Sequence, residues 1–155
     1  MTGRPIRRHR KGYFEVRLGT VDREFLRTLA QQMRELVSSE DPSLARLFPV
    51  AYPDDEDRQT EYRLLVQDEL RTSHLGALAA LEEHAGAERL DEPQLLAWMR
   101  ALNEVRLVIG TRLDVTEEGD ERPLDATDPR WEAFAVYDYL THLQGEIVEA
   151  LSDTV

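Results

Sequence analysis

The stretch Leu90-Asp91-Glu92-Pro93-Gln94-Leu95, running on into Leu96-Ala97-Trp98-Met99-Arg100-Ala101-Leu102, decides how this chain is read. Asp91 and Gln94 stand at capping-box spacing, so each side chain satisfies a backbone N–H that the first helical turn leaves without a partner. Leu90 and Leu95 are placed around that start as a hydrophobic staple. The helix runs to about Leu113, with Leu95, Trp98, Met99, Leu102, Ile109 and Leu113 as its inward stripe. Arg106 falls inside that stripe rather than opposite it.

The segment before it, Asp55 to about His84, holds no proline and repeats Tyr62, Leu65, Val66, Leu70, Ala77 and Leu81 at helical spacing. It predicts one long central helix, started by the acidic run Asp54-Asp55-Glu56-Asp57 at the positive end of the helix dipole. Gly76 is the expected bend or close crossing, and Gly86 the expected C-terminal cap. Further upstream, Asp41-Pro42 reads as an N-cap and first-turn proline that open a short helical turn through Leu44, Leu47 and Phe48, stopped by Pro49. Phe25, Leu26, Leu29, Met33, Leu36 and Val37 predict an amphipathic helix from Thr20 to near Ser38. Tyr13 to Leu18 alternates like a strand, whose partner is its own N-terminal arm, another copy of the chain, or a segment near Val115. Downstream, residues 116–128 read as an acidic loop, and Asp128-Pro129 caps a last helix with Ala133, Val136, Tyr137, Leu140, Leu143, Ile147 and Leu151 on one face and Gln144 within it. The fold class is therefore mainly α: an irregular helical bundle of about four main helices, with a short N-terminal strand and a short helical turn.

At 155 residues the chain is long enough to bury one core, and residues 12–155 are expected to form a single helical domain behind a basic flexible arm, 1–11. That arm carries Arg4, Arg7, Arg8, Arg10 and Lys11 and no acid. The remaining chain has 14 basic against 31 acidic groups, so a net charge of −12 conceals a body of −17. Such a body disfavours general nucleic-acid binding, which draws its affinity from Lys and Arg releasing counterions. The arm, through Arg7, Arg8, Arg10 and Lys11, is open to three readings: a solubilising tail, a segment folded back on its own body, or a contact to DNA or an acidic protein. The absence of cysteine excludes disulfides, zinc-thiolate sites and thiol chemistry. No stretch nears the roughly 20 apolar residues that cross a bilayer, and no export signal stands at the N-terminus, so the expected location is the cytoplasm.

No phosphate-binding glycine pattern and no nucleophile elbow occurs, so no cofactor is expected. Ser73 and His74 are sequence neighbours pointing about 100° apart on a helix and make no nucleophile and base pair. His9, His74 and His84 read as ordinary helix or surface residues. Asp138, His142 and Glu146 share one helical face and are the only metal-ligand candidates, although three ligands from one column suit a solvated face better. Asn103, Arg106 and Gln144 lie within apolar stripes, where burial without partners costs about 1–3 kcal/mol each. They predict an internal polar network in which Arg106 meets a carboxylate such as Asp68. The functional alternative makes Arg106 and Arg112 anchors for an acidic partner or ligand.

Three blocks resemble a small actinobacterial family catalogued as a domain of unknown function: Leu44-Ala45-Arg46-Leu47-Phe48-Pro49 with Glu61-Tyr62-Arg63 to Arg71; Trp98 to Leu107 with Gly110-Thr111-Arg112-Leu113; and Ala135-Val136-Tyr137-Asp138-Tyr139-Leu140 with Gln144. Some members of that family are named oxidative-stress transcriptional regulators. The resemblance implies a protein that modulates transcription through partners, a sigma factor being the natural one, with cysteine oxidation as the trigger. This chain, without cysteine, departs at that trigger. The expectation is a non-enzymatic regulatory or adaptor protein bound to a protein partner, with a homodimer compatible. The alternative is a small metal- or ligand-dependent enzyme using Asp138, His142 and Glu146 or a cleft around Arg106.

Overall fold

The computed structural model of the chain describes residues 3–114, 123 and 125–153. Two strands, β1 (Ile6–Arg8) and β2 (Phe14–Val16), precede helix α1 (Thr20–Val37) and a 3-10 turn (Pro42–Leu44). Then come α2 (Glu56–Tyr62), a π-helical turn (Arg63–Gln67), α3 (Asp68–His84), β3 (Arg89–Leu90), α4 (Glu92–Arg112) and α5 (Trp131–Ser152). The fold is mainly α, with α1, α3, α4 and α5 as the long helices. α1 packs on α3, α3 on α4 and α4 on α5. Most of the acidic loop expected at 116–128, and the segment near Val115, lie outside the described residues.

The local signals around α4 act as the sequence predicts. The Asp91 carboxylate accepts from the Gln94 backbone N–H at 2.8 Å and the Gln94 side-chain oxygen accepts from Asp91 N–H at 2.8 Å, closing the capping box. Leu90 and Leu95 are both buried. The face of α4 that goes inward is nevertheless rotated from the predicted stripe. Leu95, Trp98, Ala101, Leu102, Val105 and Val108 are buried, whereas Met99 and Ile109 are half-buried. Glu104 is carried into the core and Arg106 to its margin, because side chains at positions i and i+2 of a helix point about 200° apart.

The strand at Phe14–Val16 finds two partners. It pairs antiparallel with the chain's own N-terminal segment, Ile6 opposite Val16, and with β3, Phe14 opposite Leu90. The hairpin turn between β1 and β2 closes through His9 N–H donating to Tyr13 O at 2.7 Å, with Gly12 at φ +94°, a conformation that a side chain would strain. The expectation of a flexible arm without core residues is thereby corrected: Ile6 has no exposed surface. Arg8 stacks over the Phe14 ring and donates to Leu151 O at 3.1 Å, supplying the cationic cap that the last turn of α5 lacks in its own sequence. Arg4 lies 2.8 Å from Asp153 and 3.7 Å from Glu146. The basic segment folds back onto an acidic helix end because opposite charges and a buried isoleucine coincide there.

Arg23 on α1 locks this sheet to the helices. Its guanidinium donates to four carbonyls, Leu18 O at 2.9 Å, Val16 O at 3.0 Å, Ala85 O at 3.1 Å and Ala87 O at 2.7 Å. The long helix expected from Asp55 to His84 is present as one continuous helical stretch from Glu56 to His84, and its irregularity is the π turn Arg63–Gln67 inside it rather than a bend at Gly76. A Cβ at Gly76 meets nothing within 4 Å, so no close crossing depends on it, and Gly86 lacks the positive φ of a glycine cap. Among the described residues no helix is long and apolar enough to cross a membrane.

Candidate functional site

Ser43, His74 and Glu104 are the polar residues that fall in the buried class among those described. All three act on one piece of chain, the turn at 42–48. His74 on α3 lies with Nδ1 2.6 Å from the Glu104 carboxylate and Nε2 3.0 Å from the Leu47 carbonyl. Arg100, one turn before Glu104 on α4, donates to the same carboxylate oxygen at 3.0 Å. The hydrogen bond to Glu104 chiefly raises the His74 pKa; burial opposes that shift, and the Leu47 carbonyl adds to it. Ser43 Oγ accepts from Arg112 Nε at 3.2 Å, and Arg112 also lies 3.5 Å from Asp41. Hydrogen bonds from Ser43 hold the Asp41 carboxyl below its ordinary range. Arg71 donates to Val37 O at 3.1 Å and stacks its guanidinium over Phe48, whose ring also meets His74 edge-on.

These ties anchor the turn that leads through residues 45–55, which have no regular structure, into α2. Beyond Pro49 the chain is held by Gln59, whose side-chain oxygen accepts from Ala51 N–H at 3.1 Å and Tyr52 N–H at 2.9 Å. Asp55 then caps α2, accepting from Arg58 N–H at 3.1 Å. The buried part of the turn, Ser43, Leu44 and Leu47, is thus tied to polar groups of α3 and α4, whereas residues 49–67 are half-buried or exposed and are held by bonds of their own. The exposed side mixes charged residues with four large apolar ones: Val50 is 61%, Tyr52 41%, Leu64 73% and Leu65 67% exposed. Half of the large apolar side chains that stand exposed among the described residues belong to this one connection, which distinguishes it from single exposed leucines elsewhere.

The π turn produces the exposure. Tyr62 and Gln67, five residues apart, both turn partly inward, and Leu64 and Leu65 between them are left in solvent. Leu65, predicted on the inward stripe, is displaced for that reason. Tyr52, Tyr62, Leu65 and Val66, with Arg58 and Glu61, line an open cleft of about 300 Å³. Tyr52 and Tyr62 meet edge to face at 6.3 Å, and Arg58 lies over the Tyr52 ring.

The remaining site residues expected from sequence do not gather. Arg106 lies 3.5 Å from Thr141 Oγ1 and over the Tyr137 ring, not against Asp68, which is exposed and 3.7 Å from Arg71. Asn103 is half-buried, and Gln144 buries its Oε1 without a hydrogen-bond partner. The predicted polar network is replaced by His74, Glu104 and Arg100, because the rotation of α4 brings in Glu104 instead of Arg106. Arg112 holds the chain's own turn. Arg7, Arg10 and Lys11 are exposed on the hairpin, whereas Arg8 is engaged with α5. His142 is exposed and Glu146 faces Arg4; no group of three or more His, Asp or Glu converges to hold a metal among the described residues. His74 was the residue that sequence reading passed over. Its signal was present: at helical spacing it lies between Leu70 and Ala77, on the same inward stripe.

Comparison with known proteins places these features in a family. The chain is 34% identical to the putative oxidative stress regulator AosR of Mycobacterium leprae, over 74% of this chain and 60% of that protein. It is 32% identical to the oxidative stress regulator AosR of Mycobacterium tuberculosis, over 72% of this chain and 58% of that protein. It therefore spans about 60% of the length of these relatives. No solved structure matches it. Residues 3–151 match the domain of unknown function DUF2017, and the chain belongs to that family.

Proposed function

We propose that this chain is a non-enzymatic regulatory protein that works in the cytoplasm by docking another protein on the surface formed by Val50, Tyr52, Leu64 and Leu65. The exposure of these four side chains on one internally anchored connection is the observation that carries the reading. Water disfavours such a surface unless something covers it, and the anchored turn before it together with the helical backbone of residues 56–67 limits the ordering that a partner would have to impose. The regulator names of the mycobacterial relatives support the same direction, with a component of the transcription machinery, a sigma factor first, as the partner class. The cysteine oxidation that the family resemblance implies is closed to this chain, so its control runs through something else. Affinity capture from the native organism, with captured proteins identified by mass spectrometry, tests the reading. A transcription component retained by the wild-type chain and lost with Leu64→Glu/Leu65→Glu is the expected result. Equal recovery by both proteins overturns it.

A further inference from the structure

The apolar connection is bordered by charge of one dominant sign. Asp54, Glu56, Asp57 and Glu61 are exposed and form no ion pair with any described residue, whereas Asp55 lies 3.6 Å from Arg58 and Arg58 is further occupied by the Tyr52 ring. Arg63 is the exposed cation beside them. Glu61 lines the cleft and Asp54, Glu56 and Asp57 stand just before it on the same stretch of chain, so four unpaired acids against one arginine leave this segment negative on a chain whose net charge is −12. A second copy of the same surface would bring these acids face to face, which costs energy at close range.

We infer that the occupant of the Tyr52–Leu65 surface is an amphipathic helix of a partner protein, with leucine-type side chains on one face and lysine or arginine flanking them. This inference rests on the protein-binding reading above and names the chemistry of the partner. Apolar side chains three and four residues apart on such a helix reach Leu65 and the cleft it lines with Tyr52, Tyr62 and Val66, beside exposed Leu64, and basic side chains meet Glu61 in its wall and the exposed acids of residues 54–57 that precede it. The apolar contact supplies affinity, and the acids supply orientation and a salt-dependent association rate.

The test uses a fluorescein-labelled, 15-residue synthetic helix with leucines on one face and lysines on the other, and a twin with glutamate at each lysine, read by fluorescence anisotropy at low and high salt. The lysine peptide is expected to bind the wild-type chain at least tenfold more tightly than the glutamate twin and to shift backbone amides within residues 50–66. Leu64→Glu/Leu65→Glu weakens it at least tenfold, Asp54→Asn/Glu56→Gln/Asp57→Asn three- to tenfold with a flatter salt dependence, and the distant pair Glu83→Gln/Glu88→Gln not at all. Circular dichroism checks that each variant is folded, and Leu64→Ala/Leu65→Ala replaces the charged pair if that pair unfolds. Equal binding by the leucine variants, or equal loss with the distant pair, overturns the inference. A wild-type dimer in sedimentation that Leu65→Glu dissociates also overturns it, in favour of a second copy. If the captured partner is lost with the leucine variant while the lysine peptide binds nowhere, the partner chemistry falls and the protein-binding reading stands.

Discussion

The imidazole of His74 on α3 faces the carboxylate of Glu104 on α4 at 2.6 Å, while its second nitrogen faces the Leu47 carbonyl at 3.0 Å. An imidazole with an acceptor at each nitrogen is fully satisfied only when both nitrogens carry protons. The pair therefore places opposite charges between two helices and pins the turn that leads to the exposed connection.

Removing His74 should cost more than the pair contributes, because buried Glu104 then keeps only the contact to Arg100, whose side chain is 46% exposed, and the Leu47 carbonyl loses its donor. His74→Ala is expected to destabilise the chain by about 3–5 kcal/mol, lowering the Tm by roughly 10 °C for a chain of this size. The double change His74→Phe/Glu104→Leu should recover much of that loss. Urea unfolding of the two single variants and the double variant checks this, and a double variant no better than its parents would show that the pair is not the source.

Stability should also depend on pH through His74. Its folded-state pKa lies above the ordinary 6.5, chiefly because of the hydrogen bond to Glu104, with burial and then the Arg100 charge opposing. Between those two values the folded chain holds a proton that the unfolded chain has released, so unfolding free energy falls as pH rises. The contribution is complete below about pH 6.5 and is lost as pH climbs through the folded-state value. The stability difference between wild type and His74→Gln should shrink from pH 6 towards pH 9; denaturant titrations at both ends measure it.

The N-terminal segment belongs to the core. Ile6→Ala should cost about 3 kcal/mol, within the range for emptying a fully buried isoleucine site. Deleting residues 1–8 should lower the Tm further, since it also removes β1 and the Arg4 and Arg8 contacts to α5. Thermal unfolding followed by circular dichroism decides it: a truncated chain as stable as the full one would mean that the sheet contributes nothing.

Arg23→Lys should destabilise by about 2 kcal/mol, as a single ammonium cannot reach four carbonyls that a planar guanidinium spans. Backbone amide exchange should rise at Val16, whose N–H donates to Glu88 O across the sheet beside it. Unchanged exchange at this amide would place the role of Arg23 elsewhere.

The starts of the helices were legible residue by residue. Asp91 with Gln94, Asp41 before Pro42, and Asp55 before α2 each act within one turn of chain, where a carboxylate and a nearby N–H need no distant partner. The start of α5 was read less well: Asp128 accepts from Arg130 N–H at 2.8 Å in a turn, and the helix begins at Trp131.

What the sequence determined alone was a cysteine-free, mainly α chain with four long amphipathic helices, because capping and apolar periodicity are local properties. What only the tertiary structure decided was which flank of each apolar stripe faces inward, which segment pairs with Phe14–Val16, and where the long helix yields. On α4 the flank with Met99 and Ile109 and the flank with Ala101, Val105 and Val108 are both apolar, and the packing of α3 and α5 selects the second. That choice buries Glu104, gives His74 its partner and fixes the turn from which the exposed connection departs. The physical reason is that local patterns describe one element at a time, whereas these outcomes are set by contacts between elements far apart along the chain.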